Sequence, residues 1–285
     1  MELPCWDGRF PHPTVLREEV DAMLGAIAEA LLEAIPESCI GGIYFKGSAH
    51  KEWDSPLDYV PELSDLDIHL LFSDDSAIET YLGTVEQGLR VQQSMERKYR
   101  ARRPNPIHVP RPQVSVLNRL LKEDDFVPSP PETVTVLRGI PYPVPDLSDP
   151  DKIRLIDCKR LLEHEEFLKT WPLRVIDTPS QYLVTRLWGV VWQVSPVGPR
   201  VAHLLGASTA EAWSTNRTRL VQMLEELGER GLAKDYARFY LRGWDYFLSG
   251  FDDTDAGREA FLAGAHVIRR GIEVARTWQA EHRTG

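Results

Sequence analysis

The sequence predicts an α+β protein in which a small mixed β-sheet with flanking helices is followed by helices alone. The first observation is that short apolar stretches with the alternation of strands fall only in the first half of the chain. The second is a proline-rich segment, 139–150, after which apolar residues recur with helical spacing. We therefore predict two domains, residues 1–147 and residues 148–285, the second an all-α helical bundle.

The composition is that of a folded protein with an acidic surface. Hydrophobic residues make up 42% of the 285 residues, charged residues make up 27%, and the net charge is −10. Such a surface disfavours binding to nucleic acid through many phosphate contacts along a duplex. No apolar stretch approaches the roughly 20 residues that span a bilayer, so we expect no membrane partner. Three widely separated cysteines without metal-binding spacing indicate a reducing compartment, and we expect a cytoplasmic protein.

The first half of the chain alternates between helical and strand patterns. Apolar residues at helical spacing predict a helix over 14–35, which Pro36 ends. A second helix is predicted over 76–99. The loop 49–63 is either a lid or a surface excursion. Strands are predicted at 41–46, 64–72, 111–117 and 133–137.

The second half carries helix signals only. A helix begins at Pro150, because proline suits the first helical position. Capping boxes that start at Thr178 and Ser208 predict the beginnings of two further helices. Pro196 and Pro199 predict a break between them. The predicted helices are 150–169, 178–194, 208–228, 232–249 and 255–281.

A motif at the first two strands carries the chemistry. The first strand leads into Gly47-Ser48, and the second opens with Ser64-Asp65-Leu66-Asp67. Because side chains alternate along a strand, Asp65, Asp67 and His69 are expected on one face. Neighbouring carboxylates need water, a cation or a basic group to neutralise them. Hard oxygen ligands in this pattern suit Mg²⁺.

The turn before the loop is a candidate phosphate site. Gly47 can adopt backbone conformations closed to other residues, and a short helix starting at Ser48 would present N–H groups to an anion. The alternative is an ordinary turn that ends a strand. Lys51 is a further candidate phosphate contact. His69 is either satisfied by a nearby polar group or orients the aspartates as metal ligands.

The order of strand, Gly47-Ser48, loop, Ser64-Asp65-Leu66-Asp67 and strand resembles the signature of the DNA polymerase β-like nucleotidyltransferase superfamily. Within it, the chain looks most like the bacterial aminoglycoside-type nucleotidyltransferases, whose layout of a mixed-sheet domain and a helical bundle it shares. The resemblance implies that Asp65 and Asp67 hold Mg²⁺. It also implies that Gly47, Ser48 and Ser64 contact the triphosphate.

The chain departs from that family at one position. A third carboxylate is expected on the neighbouring strand, and Gln113 occupies the matching place. An amide oxygen ligates a metal weakly and cannot remove a proton. Three alternatives follow: His69 or an acid of the helices replaces the carboxylate, the acceptor needs no protein base, or the protein no longer catalyses. The candidate helical acids are Glu163, Glu165 and Glu166.

The resemblance implies a Mg²⁺-dependent enzyme that moves a nucleoside monophosphate from a nucleoside triphosphate, ATP above all, to an acceptor hydroxyl and releases pyrophosphate. Its catalytic residues would be Asp65, Asp67 and Gln113. A small cationic acceptor such as an aminoglycoside suits an acidic protein. Two other functions stay open: a nucleotide-binding or sensing protein without turnover, and an interaction protein that acts through its helices.

Overall fold

The structure is a computed structural model, and it describes residues 3–282. It confirms an α+β protein with many helices and one small mixed sheet. The sheet has the strand order β3-β2-β1-β4. Strand β1 runs antiparallel to both β2 and β4, and β2 runs parallel to β3. The strands are β1 (Ile40–Lys46), β2 (Asp65–Phe72), β3 (Arg111–Val116) and β4 (Thr135–Gly139).

Four α-helices accompany the sheet among the described residues of the first half of the chain. The predicted helix over 76–99 is two helices, because Thr84 has an extended backbone and caps the second one with Gln87 in a capping box. Helix α1 packs along α3 and buries the apolar face that its spacing predicts. These helices are α1 (Pro13–Ala34), α2 (Ser76–Leu82), α3 (Val85–Arg102) and α4 (Leu117–Leu120).

Basic residues at the end of α3 pair with glutamates of α1. Each pair is at least partly exposed, so its contribution to stability is small. The glutamates nevertheless balance the charges of these basic residues. The cluster is therefore better explained as part of a helix surface than as a site that binds phosphate. The N–O distances are 2.6 Å for Lys98–Glu33, 2.6 Å for Arg102–Glu29 and 2.6 Å for Arg103–Glu18.

Seven α-helices follow the proline-rich segment in the part of the chain that the structure describes. The break predicted at 196–199 is present but shorter, because one helix ends at Val194 and the next begins at Val197. Pro199 lies in the first turn of this second helix, where an absent N–H costs no intrahelical bond. The predicted helix over 208–228 is divided, because Thr215 and Asn216 are extended and Asn216 caps the second part. The helices are α5 (Pro150–Ile176), α6 (Leu183–Val194), α7 (Val197–Leu204), α8 (Thr209–Ser214), α9 (Arg217–Glu226), α10 (Arg230–Leu248) and α11 (Thr254–His282). None of the helices within 3–282 is both long and apolar enough to cross a membrane.

The chain forms two compact units, and each unit is built from more than one segment of the sequence. One unit contains the sheet and comprises Trp6–Glu52 and Ser64–Pro145. The other contains α5 to α11, the segment Trp53–Leu63 and the described residues up to Cys5. The last crossing of the chain from the sheet unit to the helical unit lies between Pro145 and Asp146, inside the proline-rich segment.

The segment Trp53–Leu63 is built into the helical unit. Asp58 is only 1% exposed, and its carboxylate accepts hydrogen bonds from the Thr218 N–H at 2.8 Å and the Thr218 hydroxyl at 2.6 Å. Arg217 Nη1 donates to the Leu57 carbonyl at 3.1 Å, and Trp244 Nε1 donates to the Pro56 carbonyl at 2.7 Å. The loop that we expected to be a lid or a surface excursion is therefore largely buried. It separates the two halves of the motif in sequence while belonging to the other unit.

Candidate active site

The Gly-Ser turn and the aspartates lie together because β1 ends where β2 begins. In this antiparallel pair Lys46, the last residue of β1, stands opposite Asp67. Gly47 follows with a φ of +85°, in the left-handed region. A Cβ atom at Gly47 would lie 1.8 Å from Asp67 Oδ2. Glycine is thus required both by the backbone conformation and by the carboxylate packed against it.

The segment after Gly47 forms one turn and no helix. The N–H groups of His50 and Lys51 both donate to the Gly47 carbonyl, at 3.2 and 3.4 Å. The short helix that we considered at Ser48 does not form, and the chain continues as turns and bends through Lys51. The predicted phosphate contacts Ser48 and Lys51 lie in this turn. Ser64, the third, is buried immediately before β2.

Two side chains from elsewhere in the sheet unit hold this turn in place. Arg17 of α1 donates from Nη1 to the Ala49 carbonyl at 2.7 Å and from Nη2 to the Lys51 carbonyl. On β4, Thr135 Oγ1 lies 2.9 Å from His50 Nε2. Sequence reasoning missed both residues, because no local pattern connects them with the turn.

Gln113 bridges the two aspartates from the adjacent strand. The parallel register of β2 and β3 places Gln113 opposite Asp67 and Arg111 opposite Asp65. In the amide orientation that satisfies its hydrogen bonds, Gln113 Nε2 donates to Asp65 Oδ2 at 2.9 Å and to Asp67 Oδ1 at 3.3 Å. Arg111 Nη2 lies 3.4 Å from Asp65 Oδ2. An amide and a guanidinium group therefore offset the repulsion between the carboxylates.

His69 follows Asp65 and Asp67 on the same face of β2, and its side chain has a partner other than the residues that contact the aspartates. Its Nδ1 lies 2.9 Å from the Tyr142 hydroxyl, and the residue is only 6% exposed. Burial, with a smaller effect of the Lys46 charge, lowers the pKa of His69 to about 3. Burial likewise raises the pKa of Tyr142 to about 12. The nearby polar group that one of our two interpretations required is the Tyr142 hydroxyl.

The donor set suits one hard divalent cation. Mg²⁺ is bound through one or two carboxylates and completes its coordination with water and substrate phosphates. Asp65 and Asp67 provide two carboxylates, and the Gln113 oxygen would add a weak ligand if the amide turned over. Between residues 3 and 282, no group of three or more histidine, cysteine, aspartate or glutamate side chains is arranged to hold a metal ion.

The three glutamates of α5 that we considered as substitutes for a third carboxylate have partners within the helical unit. All three take part in ion pairs on the surface of that unit. These are Glu163 with Arg160 at 3.3 Å, Glu165 with Arg276 at 2.8 Å and Glu166 with Lys169 at 3.7 Å.

Comparison with known proteins does not indicate a function for this chain. No protein-family profile, curated protein or solved structure matches this chain. What the residues offer chemically is a glycine turn beside two carboxylates, with cationic side chains on both neighbouring strands. A polyphosphate bound with a divalent cation is the class of ligand that this combination favours.

Proposed function

We propose that this protein is a Mg²⁺-dependent nucleotidyltransferase, in which the sheet unit is a nucleotidyltransferase-like domain and the unit containing α5 to α11 is a helical bundle domain. The predicted division at 147/148 is then kept for the end of the sheet unit, while the segment Trp53–Leu63 belongs to the helical unit. The observation that carries the proposal is the closure of the Gly47 turn against Asp67. It brings the expected phosphate-binding element and the expected metal ligands to the same edge of two neighbouring strands. The motif is split by the buried segment Trp53–Leu63, so its two halves meet through strand pairing.

Each motif residue has a role in this proposal. Asp65 and Asp67 hold Mg²⁺, with the Gln113 amide oxygen as a weak additional ligand. Gly47, Ser48 and Ser64 contact the outer phosphates, and Lys51 adds a charge at the same turn. When bound, Mg²⁺ neutralises charge on the phosphoryl oxygens and on the leaving pyrophosphate.

The transfer is an exchange of one phosphorus–oxygen bond for another. The acceptor hydroxyl oxygen bonds to the α-phosphorus, the bond from the α-phosphorus to the bridging oxygen breaks, and pyrophosphate leaves. Gln113 cannot accept the hydroxyl proton, and His69 Nδ1 is engaged with Tyr142. In this proposal the acceptor needs no protein base, and its proton passes to water. A cationic acceptor such as an aminoglycoside suits the net charge of −10.

A second candidate function is supported by Gln113 itself. A glutamine that donates to both carboxylates removes one metal ligand and the expected proton acceptor while keeping the turn and the aspartates. The resulting protein would bind a nucleoside triphosphate without turning it over, as a sensor does.

Calorimetric titration separates these functions. ATP, GTP, CTP and UTP are titrated with and without Mg²⁺ into the wild type and into Asp65→Asn/Asp67→Asn. Asp124→Asn/Asp252→Asn serves as the control, because it removes the same charge at exposed positions. We expect Mg²⁺-dependent binding in the wild type and the control, and none in the site variant.

Pyrophosphate release then distinguishes the enzyme from the sensor. Release in the presence of an aminoglycoside panel supports the transferase, and binding without release from any acceptor supports the sensor. A well-folded wild type that binds no nucleotide contradicts both.

A further inference from the structure

Two cationic side chains flank the aspartates, one from each neighbouring strand. Lys46 on β1 stands directly opposite Asp67, and Arg111 on β3 stands directly opposite Asp65. Side chains at directly opposite positions project from the same face of a sheet and interact. Counted at formal charge, two carboxylates and two cations cancel, so these four residues together are neutral before any ion binds.

This balance disfavours a pair of divalent cations. Two-metal phosphoryl-transfer sites place their ions about 3.5–4 Å apart. This spacing requires enough carboxylates to bind both ions. Here two carboxylates are available, and the third position is the amide of Gln113, whose nitrogen faces both of them. A second divalent ion would also lie beside Arg111 and Lys46 and be repelled by them.

Arg111 has the geometry of an exchangeable partner. Its contact with Asp65 is 3.4 Å long, at the outer limit of a charge-assisted hydrogen bond, and its side chain is partly exposed. A cation that binds Asp65 competes directly for that carboxylate. The Arg111 guanidinium group can then donate hydrogen bonds to phosphate oxygens, in a two-bond parallel arrangement that Lys cannot reproduce.

We infer that the site takes a single divalent cation with its nucleoside triphosphate and that Arg111, supported by Lys46, supplies the positive charge of a second ion to the polyphosphate. This inference rests on the proposed nucleotide-binding function and specifies its metal stoichiometry and its main phosphate-binding cation. Gln113 belongs to the same arrangement, because a neutral residue there keeps the site from collecting a second ion.

The test measures metal stoichiometry and nucleotide affinity without requiring turnover. Mn²⁺ is titrated with α,β-methylene ATP, which cannot be cleaved at the reacting bond, and bound Mn²⁺ is counted by electron paramagnetic resonance. We expect one ion per chain in the wild type. Arg111→Gln should weaken analogue binding by about ten- to a hundredfold, the range of a lost charge-assisted hydrogen-bond pair. Arg111→Lys, which keeps the charge, should fall between.

Arg119→Gln is the matched control, because Arg119 is an exposed arginine whose partner is Glu79 at 3.0 Å. It should bind the analogue as the wild type does. Arg111→Gln/Gln113→Glu should gain a second Mn²⁺, since it exchanges the repelling charge for a third carboxylate.

Two Mn²⁺ ions in the wild type would overturn the inference, and so would unchanged analogue affinity in folded Arg111→Gln. Either result leaves the proposed function standing. Absence of both Mn²⁺ and analogue binding in the folded wild type removes the proposed function together with the inference.

Discussion

Gly47 and Asp67 are packed so closely that a single methyl group cannot be inserted between them. The Cβ of an alanine at Gly47 would lie 1.8 Å from Asp67 Oδ2, and the glycine has a φ of +85°. The end of β1 and the start of β2 therefore constrain each other, and the predicted phosphate turn cannot move independently of the predicted metal ligand.

Gly47→Ala should remove nucleotide binding and destabilise the protein. The left-handed backbone alone costs of the order of 1–3 kcal/mol for a residue with a side chain, and the carboxylate must also be displaced. Calorimetry with Mg²⁺-ATP and urea denaturation measure the two effects. Gly88→Ala is the control, since Gly88 lies on an exposed face of α3 with open space around it and should tolerate the methyl group. Retained binding in Gly47→Ala would contradict this account.

Arg17→Met should loosen the turn without touching the motif residues. The variant loses both side-chain hydrogen bonds to the Ala49 and Lys51 carbonyls while keeping much of the apolar length of the side chain. We expect faster amide hydrogen exchange in residues 47–51 and about tenfold weaker Mg²⁺-ATP binding. Arg90→Met, an exposed change on α3, should alter neither quantity. Exchange rates equal to those of the wild type would show that Arg17 does not hold the turn.

His69 should make the protein acid-sensitive. Its pKa is about 3 in the folded chain and 6.5 as an ordinary value, so the unfolded state binds the additional proton between these values. The stability that His69 contributes is complete above pH 6.5 and declines as the pH falls toward 3, by about 1.4 kcal/mol per pH unit.

His69→Gln should therefore flatten this dependence while its amide can still meet the Tyr142 hydroxyl. Urea denaturation of both proteins at pH 7 and pH 5 gives the comparison, with an expected difference of about 2 kcal/mol. His164, whose pKa is lowered to about 4 by burial, is present in both proteins and cancels. Parallel stability curves for the two proteins would rule out a depressed pKa at His69.

Thr218→Val should destabilise the helical unit through the segment Trp53–Leu63. The variant removes the hydroxyl that contacts Asp58 at 2.6 Å and Ser55 at 2.7 Å, and it leaves a buried carboxylate with one donor fewer. We expect a loss of about 1–3 kcal/mol in the free energy of unfolding. Thr185→Val removes an exposed hydroxyl that bonds only a nearby carbonyl, and it should cost much less. Equal losses in both variants would indicate that the segment is not anchored by this network.

Local patterns predicted most of the secondary structure because they record which face of each element is buried. The spacing of apolar residues located α1, and strand alternation located β1 and β2. The boundaries that local patterns missed depend on individual caps. The break before α3 at Thr84 and the existence of α7 across Pro199 follow from hydrogen bonds at helix ends, which periodicity does not report.

The residues of the candidate site also fall into two groups, those that the sequence made recognisable and those that it did not. Gly47, Asp65, Asp67 and Gln113 were recognisable from residue type and order, and their roles stay predictions. Arg111 and Arg17 carried no local signal, because each acquires its position through strand register or helix packing. Tyr142, the partner of His69, lies in a proline-rich stretch that sequence reasoning treated only as a linker.

The sequence by itself determined the α+β class, the positions of the central strands and the residues of the motif, because these depend on side-chain chemistry and on periods of two and 3.6 residues. Only the tertiary structure decided that Trp53–Leu63 belongs to the helical unit, that Gln113 spans Asp65 and Asp67, and that cations stand opposite both aspartates. The physical reason is that these contacts join residues distant in sequence, and strand register or burial selects the partner, which no neighbouring residue encodes.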